Sequence, residues 1–145
     1  MTTATATINR AFEHYVDTFQ SLDPKAAVRH LHPPVLVLDP RGTQVLSTAT
    51  EAEAFMIKVM RDLAARGYTR SAITESYVHL LGETTALVSV SRIRYATAGR
   101  ELERLGETYT LRKTGDDWKI VAAVVHDANR VLKDRSRRPA GATSG

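Results

Sequence analysis

Apolar residues recur at helical spacing through the first part of the chain and alternate with polar ones through the second. Ile8, Ala11, Phe12, Tyr15, Val16, Phe19 and Leu22 fall three or four residues apart and form one stripe, which predicts a first helix. Asp23-Pro24 supplies an N-cap followed by proline at the first helical position. A short second helix should follow, with Ala27, Val28 and Leu31 inward and Pro33-Pro34 stopping it. Residues 35–38, Val-Leu-Val-Leu, read as a strand. Asp39-Pro40-Arg41-Gly42 turns it toward a second short strand near 44–46. Thr48 with Glu51 three residues on is a capping box. It opens a third helix through about Arg66, with Phe55, Val59 and Leu63 on one side and Gly67 at the C-cap.

Beyond Gly67 the period becomes two. Strands are expected over about 70–81, 84–96, 101–113 and 118–128, joined by tight turns at Gly82-Glu83, Ala98-Gly99 and residues 114–117. Helices first and an antiparallel meander afterwards predict an α+β domain with the helices on one sheet face. Residues 1–7 read as an N-terminal arm, 8–133 as one domain, and 134–145, DRSRRPAGATSG, as a disordered basic tail with almost nothing to bury.

Composition narrows the chemistry. The chain has no cysteine, which removes disulfides, thiolate nucleophiles and zinc–thiolate sites. No stretch has the length and apolarity of a signal peptide or a membrane span, so a cytoplasmic protein without a membrane partner is expected. The net charge of +4 sits in the tail. From Asn129 onward there are five Lys/Arg against one acid, and removing these from the 20 bases and 16 acids leaves 15 of each. A basic stripe on a folded face is not visible, so no specific nucleic-acid partner is expected. His30 and His32 straddle a helix end without acidic companions, which argues against a metal site. No phosphate loop or nucleophile elbow appears, and no cofactor is expected.

Asp39 closes an apolar run and opens a turn. It is either turn punctuation, bonding the amides that follow, or a buried acid/base whose pKa is raised toward working pH. Tyr15 lies on the stripe of the first helix between Phe12 and Phe19. It is either a core tyrosine or a phenol aimed into a pocket. Glu107 and Tyr109 share a strand face. Glu107 is either an acid donating to an oxyanion or a cross-strand partner of Arg92 or Arg94, themselves expected on a solvated face or a dimer rim. In the last strand, if Ala123 and Val125 point inward, so does Asp127, and His126 lies outside.

Several short motifs carry a resemblance. His14-Tyr15-Val16 is similar to an Arg-Tyr-Val of helix one in the ketosteroid-isomerase and SnoaL-like branch of the nuclear-transport-factor-2-like (NTF2-like) superfamily. Leu38-Asp39-Pro40-Arg41-Gly42 resembles that branch's strand-ending Asp-Pro-x-Gly, and Glu107 to Leu111, Gly115 and Trp118-Lys119-Ile120-Val121 resemble its last hairpin. The likeness spans roughly residues 8–128. It implies three helices packed on a strongly curved antiparallel sheet that forms a conical pocket, a homodimer, and a hydrophobic small molecule as partner. By analogy Asp39 would move a proton next to a carbonyl while Tyr15 stabilised the oxygen. The branch's protonated aspartate of the penultimate strand corresponds to a position near Tyr109, with Glu107 on the same face; no aspartate stands there. Phe12, Phe19, Phe55, Val59 and Asp127 would line the pocket. The implied activity is cofactor-independent acid/base chemistry of an isomerase, cyclase or dehydratase; a non-catalytic binding or dimerisation module of the same fold is the alternative.

Overall fold

Capping signals set the starts of the second and third helices where the sequence places them. The computed structural model describes residues 3–133. Helix α1 spans Ala4–Gln20, α2 Pro24–Val28 and α3 Ala49–Ala65. The Thr3 side chain accepts from Ala6 N–H, Asp23 from Ala26 N–H and Thr48 from Glu51 N–H. The Glu51 carboxylate in turn accepts from the Ser47 amide at 2.6 Å, closing the capping box. Helix α1 begins inside the stretch read as an N-terminal arm, because Thr3 caps it. The tail 134–145 lies outside the described residues.

Six strands follow the expected turns: β1 Leu31–Asp39, β2 Gly42–Leu46, β3 Tyr68–Leu80, β4 Thr85–Ala96, β5 Glu101–Thr114 and β6 Asp117–His126. They form one curved, unclosed sheet in the order β2-β1-β6-β5-β4-β3. Strands β3 to β6 are the antiparallel meander read from the alternation. Two features depart from that reading. Strand β1 runs parallel to β6, pairing Leu36–Leu38 with Ala122–Val124. It also starts before Pro33-Pro34 rather than after them. Helix α2 already ends at Val28, and the Ile120 amide donates to the His30 carbonyl at 2.8 Å, drawing the chain onto β6. The β1–β6 register then shifts between Leu31 and Leu36, the stretch where proline has no N–H to give the ladder.

The helices cover the concave face. Ile8, Phe12, Tyr15, Val16 and Phe19 of α1 and Ala52, Met56, Met60 and Leu63 of α3 are buried with Val88, Val90, Tyr109, Leu111 and Ile120 of the sheet. The α3 stripe therefore differs in part from expectation: Met56 and Met60 enter the core, while Phe55 and Val59 are half-buried. The convex face is covered along β4 by residues after β6. Val131 is buried, the Leu132 amide donates to Ser89 Oγ at 2.8 Å, and His79 Nε2 donates to the Leu132 carbonyl at 2.6 Å. Among the described residues no helix is long and apolar enough to cross a membrane.

Candidate functional site

The curvature leaves a cavity of about 740 Å³ between α1, α3 and the concave face. Its walls are largely apolar, with Phe19, Val35, Phe55, Val59, Leu105 and Ile120 among the lining residues. It opens at the β1–β2 turn, where Arg41 is 92% exposed. Seven of the expected site residues face this space: Tyr15, Asp39, Glu107, Tyr109, Phe19 and the pair Phe55/Val59 from one turn of α3.

Two expected ligand contacts do not. Phe12 lines a separate hollow of about 180 Å³ between α1 and β3, and its ring packs on Tyr109 at 5.1 Å between centroids. One helical turn separates Phe12 from the cavity side of α1. Asp127 is exposed, since β6 ends at His126 and the alternation that would carry Asp127 inward stops one residue short. Ala123 and Val125 do line the cavity, and His126 lies on the outer face.

The inner end of the cavity is charged. Strand alternation turns Arg92 and Arg94 of β4, and Glu103, Glu107 and Tyr109 of β5, onto the concave face. Arg92 is 1% exposed rather than on a solvated face or rim. Its Nε lies 2.8 Å from Glu107 Oε1, off the line of a hydrogen bond, so the contact is ionic. Arg92 Nη2 donates to the Tyr109 hydroxyl at 2.9 Å, which donates to Glu107 Oε2 at 2.6 Å. Burial opposes the Arg92 charge, but the neighbouring Glu107 carboxylate holds the guanidinium protonated above its ordinary range. Burial pushes the Tyr109 pKa well up, against the nearby Arg92 and with Glu107. Glu107 is thus the cross-strand ion-pair partner of Arg92, and the Tyr109 proton is already committed to it.

Tyr15 differs. Its ring stands edge-on to Phe19 at 5.3 Å and to Tyr109 at 5.9 Å, and the residue is only 5% exposed. Its hydroxyl has no hydrogen-bond partner among the described residues and is open to the cavity that Tyr15 borders. Burial, reinforced by the Glu107 charge, raises its pKa far above the ordinary phenol value. The group is therefore a neutral donor at any working pH.

Asp39 is held by its own turn. Its Oδ1 accepts from the Arg41 amide at 2.8 Å and the Gly42 amide at 3.2 Å, and Arg41 Nη2 meets Oδ2 at 3.4 Å. The Arg41 amide is the main reason its pKa lies below the ordinary carboxylate value, despite some desolvation. The raised pKa expected of a buried acid/base is not found, because the carboxylate accepts amide bonds at the cavity mouth instead of standing bare in an apolar wall. The burial of Arg92 and Arg94 on the concave face was what sequence reasoning missed, although pairing of Glu107 with one of them was among its readings. Its signal was the Arg-x-Arg of β4, four residues after Val88 and Val90 on the same parity.

Solved structures with the same architecture are numerous. An NTF2-like protein of unknown function from Shewanella oneidensis aligns at 15% identity over 86% of this chain and 100% of that one, with a TM-score of 0.71. A domain of unknown function with a cystatin-like fold from Nostoc punctiforme aligns at 18% identity over 87% of this chain and 78% of that one, TM-score 0.69. A ketosteroid isomerase-like protein from Erwinia carotovora atroseptica aligns at 17% identity over 83% and 92%, TM-score 0.61. At these identities the likeness is one of fold. No curated protein matches the sequence. A family model described as NTF2-like protein (DUF6841) matches residues 5–128, so this chain, with its three helices on a curved sheet, belongs to that NTF2-like family.

Proposed function

We propose that the protein binds a small, largely apolar molecule in the concave cavity and holds an oxygen of that molecule with Tyr15. The observation that carries this is the Tyr15 hydroxyl, a donor without a protein partner among the described residues, open to a cavity of about 740 Å³. A ligand oxygen would take the place of the water that this hydroxyl meets in the open cavity. The size falls within the usual range for small-molecule sites, and the apolar lining with few polar groups fits one. Binding of neutral aryl ketones such as acetonaphthone tests this by amide NMR. Shifts should map to Phe19, Phe55 and Val59, and Tyr15→Phe should weaken binding about three- to tenfold. Ligands that leave the cavity residues unshifted at saturation would sink the proposal.

A second reading is catalytic. Asp39 borders the same cavity as Tyr15 and is a carboxylate by virtue of its amide bonds. It would abstract a proton next to the ligand's carbonyl while Tyr15, with Tyr109 or Glu107, met the developing oxyanion. Its low basicity and the commitment of Tyr109 to Glu107 make this the less favoured reading. Deuterium exchange at the α-carbon of a bound ketone decides. Asp39→Asn should slow exchange about a hundredfold if Asp39 is the base; an unchanged rate removes it from that role. A homodimer would use the outer face near Leu36 and Val124, both partly exposed. Sedimentation equilibrium giving a monomer at micromolar concentration would end that expectation.

A further inference from the structure

The inner wall of the cavity carries more cationic donors than the protein itself uses. Arg66 Nη1 at 3.2 Å and Arg94 Nη1 at 3.1 Å converge on one oxygen, Glu103 Oε1. Arg94 Nη2 stands 4.0 Å from Glu107 Oε1, outside hydrogen-bond reach, and Arg94 Nε has no hydrogen-bond partner among the described residues. The Arg94 side chain is nonetheless only 12% exposed. Arg66 Nη1 also meets Asp62 Oδ2 at 3.5 Å, but Asp62 is 67% exposed and water screens that pair. Arg92 beneath the wall is spent on Glu107 and Tyr109. Counting Arg92, which lies beneath the wall rather than on it, three guanidiniums, Arg66, Arg92 and Arg94, stand against two carboxylates, Glu103 and Glu107. The four other charged lining residues, two of each sign, cancel. With the buried Arg92 included the region is one anion short, and the least exposed unspent donors on the wall are the Nε/Nη2 edge of the planar Arg94 guanidinium.

We propose that the ligand of this cavity is a monoanion, an apolar body bearing a single carboxylate, with the carboxylate seated on the free edge of Arg94. The inference rests on the reading of the cavity as a ligand site and names the class of its occupant. The Nε/Nη2 edge matches a carboxylate with two parallel hydrogen bonds. A phosphate ester, carrying nearly two charges at neutral pH, would exceed the single excess cation. The apolar body would lie against Phe55 and Val59 of α3, opposite the sheet. Glu103 competes with the ligand for Arg94, so it sets how tightly the acid is held.

The test titrates the full-length protein with matched acids and amides, naphthoate with naphthamide and phenylbutyrate with phenylbutyramide, followed by amide NMR. At least one acid should shift cavity-wall residues and bind about tenfold more tightly than its amide. Arg94→Gln should bring that acid down to the level of its amide and leave the amide unchanged. Glu103→Gln keeps Arg94 and removes its competing carboxylate, so it should tighten the acid severalfold; it carries the test even if the Arg94 variant does not fold. Amides binding as well as acids would overturn the anion inference while leaving the cavity a ligand site. No binding by either member of any pair at millimolar concentration would overturn both. An acid preference that survives Arg94→Gln in folded protein, or one that weakens with Glu103→Gln, would overturn the seat.

Discussion

The two faces of the sheet, built from alternate residues of the same strands, solve burial in opposite ways. On the concave face, which Val90 shares, Arg92, Glu107 and Tyr109 put an ion pair and a phenol into the protein interior beside a cavity. One residue away on each strand, Ser89 and Thr108 put neutral hydroxyls on the convex face. There a directional chain of hydrogen bonds closes without charge. Leu132 N–H donates to Ser89 Oγ, Ser89 and Thr108 hydroxyls meet at 2.8 Å, and Thr108 meets His126 Nε2 at 2.7 Å. His126 Nδ1 donates to the Asp127 carbonyl at 2.8 Å, which leaves Nε2 of the neutral ring as the acceptor from Thr108. The outer chain has one acceptor for every donor and is sealed by the residues after β6. The inner cluster has donors left over, which is what a structural network lacks and a binding site needs.

The strongest way to break this comparison is to strand the buried arginine. Glu107→Ala leaves Arg92 charged, buried and without its carboxylate, and should cost about 3–5 kcal/mol in urea unfolding. Replacing both partners, Arg92→Met with Glu107→Leu, should recover most of that loss, because the desolvation of two charges is removed together. A single variant as stable as wild type would mean the inner cluster is wetter than its burial indicates.

A smaller effect isolates the outer face. Gly106 faces His126, and a Cβ there would lie 2.5 Å from the imidazole and 2.6 Å from the Asp127 carbonyl oxygen. Gly106→Ala should destabilise by about 1–3 kcal/mol through overpacking, with ligand affinity in the cavity unchanged. Altered affinity in the folded variant would show that the two faces communicate across the sheet.

The smallest effect belongs to the mouth. Asp39 is a stronger acid in the folded protein than its ordinary value of 3.8. A depressed folded pKa adds stability above the unfolded value, and that stability is lost as pH falls through the lower, folded one. Asp39→Asn should therefore be less stable than wild type at neutral pH, with the gap closing below about pH 4. A gap that persists in strong acid would assign the difference to something other than the charge. The same sign applies to His30, where partial burial, with His14 and Lys119 nearby, lowers the pKa from 6.5. Its contribution fades as pH falls from that value.

The starts of the second and third helices, the hairpin turns and the alternation of the meander were legible because each rests on neighbours within a few residues. Thr48 finds its amide three positions on, Asp23 likewise, and alternation in β5 puts Glu107 and Tyr109 together whatever the rest of the chain does. Tyr15 could be placed on an inward stripe, and Phe19 with it. The fate of a side chain that has two inward options was not legible. Phe55 and Val59 share a helix with Met56 and Met60, and only the space between α3 and the sheet decides which pair fills the core and which faces the cavity.

What local pattern determines here is the elements, their order and their faces, since backbone hydrogen bonding and side-chain period act over short distances. What the tertiary structure alone decides is long-range. It lays β1 parallel to β6 through a proline pair and buries Arg92 by giving it a carboxylate from the next strand. Each is a choice between water and a partner distant in sequence. A charged side chain takes the buried option only where the fold brings that partner within about 3 Å.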